Sequence, residues 1–186
     1  DNTLAYPEDV LANYPSIPGF NLPPSPSRLP KYDYGPDFDK GFITEHPPTP
    51  VAGQEYSLQL PVVDEDGNDI AGIRTPDIQA PVGTHTGWTL RKEGVAKGDF
   101  FSLTGSFVPF ARTKKEREAA KDPRLSIEER YSSHDDYVTA ITEATKKLLA
   151  DELLIQEDAD RYIEAAKKRN PLDPKVPLLP LALGVN

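Results

Sequence analysis

Several residue types are missing from this 186-residue sequence, and each absence excludes something. It has no cysteine, which excludes disulfide bonds and a thiol nucleophile but leaves the compartment open. It has no apolar run long enough to span a bilayer and no signal-peptide pattern at its N-terminus, so we expect no membrane partner. It also has no methionine, from which we expect that a targeting peptide was removed or that the chain is one piece of a longer product.

Positive charge is scarce in the first part of the sequence. Residues 1–110 contain 7 Lys and Arg against 15 Asp and Glu, a net charge of −8, whereas residues 111–186 contain 14 against 15, a net charge of −1. Binding a nucleic-acid backbone requires clustered positive charge. The sequence therefore predicts that nucleic acid is not a partner.

Histidine is also scarce, and the spacing of the three histidines fits no zinc motif. His46, His85 and His134 are 39 and 49 residues apart, without a paired motif such as H-E-x-x-H. We interpret His46 as a loop residue and His134 as a surface residue in the first turn of a helix. A phosphate-binding loop and a dinucleotide-binding motif are missing too, so no cofactor is expected.

The sequence contains no complete nucleophile elbow. The stretch LTGSF, residues 103–107, comes closest to G-x-S-x-G, but it lacks the second glycine and is not followed directly by a helix. Ser106 is therefore not expected to be a nucleophile, and no catalytic residue is assigned within this chain.

Proline, by contrast, is abundant, with 20 residues, of which 11 lie in the first fifty. Residues 1–54 show no helical or strand period, so we predict an extended proline-rich wrap that needs a surface to lie on. The apolar tail at residues 171–186 has four prolines, which exclude a continuous helix. We predict that this tail docks into a groove.

Residues 55–110 are predicted to form a β-hairpin and loop region. In residues 55–74, apolar and β-branched residues flank an Asp-rich centre with a glycine, which is the pattern of two strands joined by a turn. Asp64, Asp66 and Asn68 in that centre alternate as in calcium loops, but the downstream glutamate of an EF-hand is missing. These three residues are weak metal candidates beside the ordinary turn interpretation.

Residues 111–170 are predicted to be helical. Thr113 with Glu116, and Ser126 with Glu129, match the capping box that begins a helix.

Two longer helices follow in the same region. An apolar stripe predicts a helix from Ser133 to about Glu152, and a second stripe predicts one over residues 156–168. A short link joins them, so they form an αα-hairpin. The stripes consist of Tyr137, Ile141, Ala144 and Leu148 in the first helix and Ala159, Tyr162, Ile163 and Ala166 in the second.

Five stretches, distributed in this order and spacing over residues 13–169, resemble the C-terminal portion of large alpha/beta-hydrolase-domain proteins. They are NYPSIPGF, YDYGPDF, LPVVDEDGNDIAGIRTPDIQAPVGTHTGWTLR, LTGSFVPFARTKKEREAAKDPRLSIEERY and YVTAITEATKKLLADELLIQEDADRYIEAAKKR. In that family the serine, acid and histidine of the catalytic triad lie upstream of this material. The resemblance implies a part of a serine ester hydrolase that covers the core, with a small-molecule ester as substrate. It also favours a periplasmic or extracellular location.

The segment with His85 and Trp88 is the candidate substrate pocket. The resemblance implies that tyrosine takes the place of His85 as readily, and a general base cannot be exchanged for tyrosine without changing the chemistry. The pocket candidates are Thr84, His85, Thr86 and Trp88. The alternative interpretation is that His85 and Trp88 simply pack within the hairpin layer.

The sequence thus predicts an α+β fold that forms part of an α/β-hydrolase. The proposed partner is the N-terminal catalytic portion of the same hydrolase, in the same precursor or as a separate chain. Two alternatives stay open: a non-catalytic binding or structural subunit, and a calcium-binding module.

Overall fold

The computed structural model describes residues 2–24, 26, 28–102 and 104–181. These residues form six α-helices and four two-stranded antiparallel sheets, a mixture that is compatible with the predicted α+β fold. The strands are β1 (Leu4–Ala5), β2 (Pro30–Asp33), β3 (Thr49–Glu55), β4 (Leu60–Pro61), β5 (Gly83–Thr86), β6 (Thr89–Leu90), β7 (Phe100–Ser102) and β8 (Ser106–Pro109). The helices are α1 (Pro7–Asn13), α2 (Pro76–Gln79), α3 (Lys114–Ala120), α4 (Ile127–Arg130), α5 (His134–Ala150) and α6 (Gln156–Lys168), with a 3₁₀ turn at Phe38–Lys40.

Residues 1–54 contain more regular structure than predicted. The expectation of a wrap without helix or strand is wrong for α1 and for the antiparallel pair of β2 and β3. In α1, Pro7 occupies the first turn with its φ already helical, and Glu8 and Asp9 stabilise the positive end of the helix dipole. In β2 and β3 most residues are exposed, which removes the alternation that identifies a strand in sequence.

The predicted hairpin at residues 55–74 is much smaller in the structure. The Asp-rich turn closes with one antiparallel bridge between Val63 and Asp69. Strand β4, which precedes this turn, pairs instead with β1 near the N-terminus, with Leu4 opposite Pro61.

Strands β5, β6, β7 and β8 form a long antiparallel arm within the region that was predicted as β-hairpin and loop. At the base of the arm β5 pairs with β8, and His85 lies opposite Phe107. Farther along the arm β6 pairs with β7. Gly83 is required at the base of the arm, since a Cβ there would lie 2.6 Å from the Phe107 ring.

The helical region agrees closely with the sequence prediction. Both capping boxes are present, with Thr113 and Ser126 as N-caps. Helices α5 and α6 have the predicted bounds to within two residues and pack against each other as the predicted αα-hairpin. His134 differs from its prediction as a surface residue, since it is half-buried and its Nε2 lies 2.9 Å from the Ala166 carbonyl oxygen.

The main core lies between the helical hairpin, α4 and the base of the arm. Each core residue exposes less than a tenth of its surface to solvent. The core consists of Ala80, Val82, Phe110, Ile127, Tyr131, Tyr137, Ile141, Tyr162, Ala166 and Leu181. None of the helices in the described ranges is both apolar and long enough to traverse a bilayer.

The tail docks onto this core, as predicted, for its described residues 171–181. Pro171 and Leu181 are buried, and two arginines bind the tail backbone. Arg112 donates to the carbonyl oxygens of Pro171 at 2.9 Å and Asp173 at 3.0 Å, and Arg169 donates to that of Leu179 at 3.0 Å. The rest of the predicted tail lies outside the described residues.

Candidate functional site

The Asp-rich turn is held in place by protein groups. Asp64 Oδ1 accepts from the backbone N–H of Asp66 at 3.0 Å and of Asn68 at 2.9 Å, and its Oδ2 accepts from Arg74 at 2.5 Å. Asp66 forms a two-point ion pair with Arg130. The three weak metal candidates thus include two carboxylates that already face guanidinium groups, and no cluster of three or more His, Asp or Glu in the described ranges could hold a metal ion.

Asn68 connects this turn to strand β5. Its side chain is fully buried, accepts from the His85 backbone N–H at 2.7 Å and donates to the Gly83 carbonyl at 3.3 Å. A buried amide that satisfies two strand groups is a structural element rather than a free ligand. The turn therefore fixes the position of the strand that carries His85.

The two threonines of β5 are also bound internally. Thr84 is fully buried, and its hydroxyl accepts from Arg124 at 2.8 Å and donates to the Asp66 carbonyl. The Thr86 hydroxyl donates to the Trp88 carbonyl at 2.8 Å. Both threonines stabilise the base of the arm.

His85 faces Asp77 of α2. Its Nε2 lies 4.0 Å from Asp77 Oδ2, and its ring contacts Phe107 edge-on at 5.0 Å. Burial lowers the pKa of His85, while the Asp77 carboxylate acts in the opposite direction. The His85 Nε2 and Asp77 Oδ1 atoms are both buried without a hydrogen-bond partner in the described part of the chain.

Replacing His85 with glutamine is expected to make folding less sensitive to acid. Because the pKa of His85 is lowered in the folded protein, the unfolded chain binds a proton that the folded chain does not. The wild type therefore has its full free energy of unfolding above the ordinary histidine pKa of about 6.5, and this free energy falls as the pH decreases below that value. Urea unfolding of both proteins across this range measures the effect, and a stability difference that stays constant with pH would contradict it.

Trp88 belongs to an aromatic cluster with residues from the N-terminal segment. Its ring lies 6.0 Å from Tyr14, edge-on, and 6.2 Å from Phe20, measured between ring centroids. The Tyr14 hydroxyl donates to the Gly67 carbonyl at 3.1 Å, and burial raises the pKa of Tyr14 to about 12. Gly67 has a positive φ of 78°, and a Cβ there would crowd the Tyr14 hydroxyl at 3.0 Å. The turn and the N-terminal segment are therefore locked together beside Trp88.

An apolar cavity of about 330 Å³ lies next to this cluster, and we call it the Trp88 cavity. Among the lining residues that the structure describes, Asp69 is the one charged residue. Partial burial, followed by the nearby Asp64 carboxylate, raises the pKa of Asp69. The lining consists of Val10, Leu11, Tyr14, Pro23, Pro24, Pro26, Leu60, Pro61, Val63, Asp69, Gly87, Trp88 and Phe100.

The structure separates the four pocket candidates. Trp88 lines the Trp88 cavity, whereas His85 faces Asp77 and the two threonines lie in the interior of the arm base. Tyr14, Asp69 and Phe100 were missed from the sequence as cavity residues. The signal in the sequence was the presence of Tyr14 and Phe20 in a proline-rich segment, which indicates that this segment packs onto a surface.

Ser106 has a position that fits a structural role. Its Oγ lies 3.0 Å from the Trp88 carbonyl oxygen and 3.1 Å from Thr89 Oγ1. It sits at the start of β8, which continues to Pro109, whereas a nucleophile elbow requires a sharp turn between a strand and a helix.

Comparison with known proteins gave one finding about the family. A family model described as an alpha/beta hydrolase domain matches residues 38–164, which is more than half of the chain. No curated protein and no solved structure matches the chain. Six residues of the Trp88 cavity, from Val10 to Pro26, lie upstream of the matched range.

Proposed function

This chain belongs to the alpha/beta hydrolase domain family, and from that membership we propose that it is the C-terminal part of a carboxylic ester hydrolase. In this proposal it covers the catalytic core and forms a wall of the substrate pocket. The catalytic triad is supplied by an N-terminal catalytic portion outside this chain.

The observation that carries the proposal is the apolar Trp88 cavity. Pockets for small molecules are concave, mostly apolar and about 300–1,000 Å³ in volume, with a few polar groups that orient the ligand. The Trp88 cavity fits this description, with about 330 Å³, a mostly apolar lining and the Asp69 carboxyl group as a polar group. It can therefore take the acyl or alcohol group of an ester.

The placement of Ser106 and the sheet topology support a triad outside this chain. The Ser106 hydroxyl contacts a carbonyl oxygen and a threonine hydroxyl, neither of which is a base. All strand pairs in the described ranges are antiparallel. A serine hydrolase of this class instead exposes its nucleophile at the top of a mostly parallel sheet.

The division of labour follows from the chemistry of ester hydrolysis. The catalytic portion forms and hydrolyses a serine ester and stabilises the oxyanion. This chain binds the non-reacting part of the substrate and so holds the scissile carbonyl in place. Binding energy from such remote groups lowers the barrier of the chemical step and so raises kcat.

A serine-reactive fluorophosphonate probe tests the proposal on protein purified from its source. Native mass spectrometry first shows whether a second polypeptide is bound to this chain, or whether residues 1–186 belong to a longer precursor. We expect the probe to label a serine outside residues 1–186 and to abolish ester hydrolysis. Labelling of Ser106 or another serine in this chain would contradict the proposal.

Replacing Trp88 with alanine in the assembled hydrolase is expected to change its ester preference about tenfold or more, since one methylene in an apolar pocket already changes kcat/KM by about 10-fold or more. The measurement is the ratio of kcat/KM for cyclohexanecarboxylate and acetate esters of 4-nitrophenol. Ile155→Ala, at an exposed position outside the cavity, is the matched control. An unchanged ratio in Trp88→Ala would return Trp88 to a packing role.

A non-catalytic binding or structural subunit is the second candidate, favoured by the exposed apolar side chains of the β2–β3 hairpin. Tyr32, Phe38, Phe42 and Ile43 all expose more than two fifths of their surface. Such patches occur where proteins contact one another. Purification of the chain with a partner that does not react with the fluorophosphonate would favour this candidate.

A further inference from the structure

We infer that the β2–β3 hairpin, together with the residues 34–48 that join its two strands, docks onto the N-terminal catalytic portion. The receiving surface on that portion is an apolar groove bordered by lysine or arginine. This inference rests on the proposed function for the identity of the partner. It adds which surface of this chain makes the contact and the chemistry of the surface that receives it.

The hairpin has no core of its own. Within the described range 28–102, no residue from 28 to 59 is buried, and neither β2 nor β3 packs extensively against another described helix or strand. Arg28 forms exposed ion pairs with Glu8 at 3.8 Å and Glu55 at 3.5 Å, and such pairs contribute little stability. Because an isolated two-stranded hairpin is only marginally stable in water, this one requires a surface that the described residues do not supply.

Three aromatic rings stand in a row on the hairpin. The Tyr34 ring stacks on Phe38 at 4.7 Å and lies 6.4 Å from Tyr32, measured between ring centroids. Phe42 follows in the connecting residues with 66% of its surface exposed. Aromatic side chains of this kind are the usual anchors of a protein interface. A standard interface uses about 20–30 residues from each partner, a number that the exposed segment 28–59 can supply.

Charge favours a partner other than a second copy of this chain. Residues 33–45 contain one Lys against four Asp and Glu, a net charge of −3, and the whole chain has a net charge of −9. Two copies therefore repel each other at this surface. Lysine or arginine around an apolar groove would instead pair with carboxylates such as those of Asp39 and Glu45 while the aromatic rings fill the groove.

The family match indicates which protein supplies that groove. The match begins at residue 38, so it includes Phe42, Ile43 and the whole of β3. An alpha/beta hydrolase domain is built around a mostly parallel sheet, whereas the strand pairs in the described ranges are antiparallel. The hairpin thus belongs to the hydrolase domain, and the part of that domain with the parallel sheet is its partner.

Hydrogen exchange tests this docking surface by comparing the isolated 186-residue chain with the protein purified from its source. The backbone N–H groups of Thr44 and Tyr56 report on the hairpin, since they donate to the carbonyl oxygens of Tyr34 and Leu29 at 2.9 Å. We expect them to exchange about 30-fold or more slowly in the protein from its source, the factor that one aromatic anchor provides. Equal rates in the two samples would overturn the inference. Protection of the isolated chain that rises with its concentration would overturn it too, because a second copy would then cover the hairpin.

Variants of the hairpin test the anchor and the charge in the protein that contains the partner. Phe42→Ala is expected to reduce the protection about 30-fold, and it leaves the core intact because Phe42 is exposed. Ile155→Ala, which is 62% exposed outside the hairpin, is the matched control. The double reversal Asp39→Lys with Glu45→Lys is expected to reduce the protection severalfold. Unchanged protection in both hairpin variants would contradict the inference.

The fluorophosphonate probe separates this inference from the proposed function. Protection of the hairpin by a partner that does not react with the probe would remove the proposed function and leave the docking surface standing. A reactive serine in the partner, combined with an unprotected hairpin, would remove the docking surface and leave the proposed function standing.

Discussion

Replacing Arg124 with methionine is expected to lower the free energy of unfolding by about 3–5 kcal/mol, the cost of leaving a buried charge without its partner. Arg124 pairs with Asp122, and their side chains are only 2% and 7% exposed. Burial opposes ionisation of Asp122, yet the hydrogen bonds from Arg124 hold the pKa of Asp122 below its usual value. Without the guanidinium, that buried carboxyl loses the hydrogen bonds of the Arg124 side chain and keeps the weaker charge interaction with Arg117.

Arg124 also connects parts of the chain that are far apart in sequence. Its planar guanidinium stacks over the Phe110 ring at 5.1 Å and distributes its donors over four acceptor residues. They are Asp122 at 2.6 and 2.9 Å, Thr84 at 2.8 Å, Val108 at 3.0 Å and Pro109 at 3.3 Å. Methionine keeps much of the volume but satisfies none of these acceptors.

Denaturant unfolding measures the effect, with Arg161→Met as the matched control. Arg161 forms ion pairs on the exposed face of α6, and such pairs contribute little, about 0–1 kcal/mol. The double variant Arg124→Met with Asp122→Leu is expected to recover part of the loss, because both buried charges are gone. Equal losses for Arg124→Met and Arg161→Met would show that the buried network contributes no more than a surface pair.

The helical part of the fold was predictable because its signals are local. Capping boxes such as Thr113 with Glu116 act within one turn, and the stripe of α5 repeats within one helix. Only Thr145 departs from that stripe, as a fully buried polar residue, and it donates to the Ile141 carbonyl at 2.7 Å within its own helix. A hydroxyl satisfied in this way is compatible with a buried position.

The candidate site was less predictable because it depends on contacts between distant segments. His85 and Trp88 are three residues apart, which led to the hypothesis of one pocket. In a strand, however, neighbouring side chains alternate, so His85 shares a face with Phe107 and not with Thr84 or Thr86. Trp88 follows the strand end and meets Tyr14 across more than seventy residues, a contact that no local pattern indicates.

The Asp-rich turn shows how a motif changes meaning with its surroundings. The spacing of Asp64, Asp66 and Asn68 resembles a calcium loop, but Arg74 and Arg130 occupy the carboxylates. Both arginines come from downstream segments: Arg74 lies just before α2, and Arg130 is the last residue of α4. The turn is therefore a connection between elements, and its alternating acids serve ion pairs within the protein.

Replacing Tyr137 with alanine is expected to lower the free energy of unfolding by about 3–5 kcal/mol, the cost of truncating a large buried aromatic side chain. Tyr137 is 1% exposed and packs edge-on against Tyr131 at 5.1 Å. The matched control is Tyr56→Ala, because Tyr56 is exposed and contacts Lys31 at 5.8 Å, an interaction of about 0.5–1 kcal/mol.

The Tyr137 variant also tests whether the helical core and the Trp88 cavity unfold together. Far-ultraviolet circular dichroism reports on the helices, and fluorescence of the single tryptophan reports on the cavity. Arg124 links Thr84 to the Phe110 end of the core, so we expect both signals to shift to lower denaturant by the same amount. A shift confined to the circular dichroism would mean that the cavity folds independently of the helices.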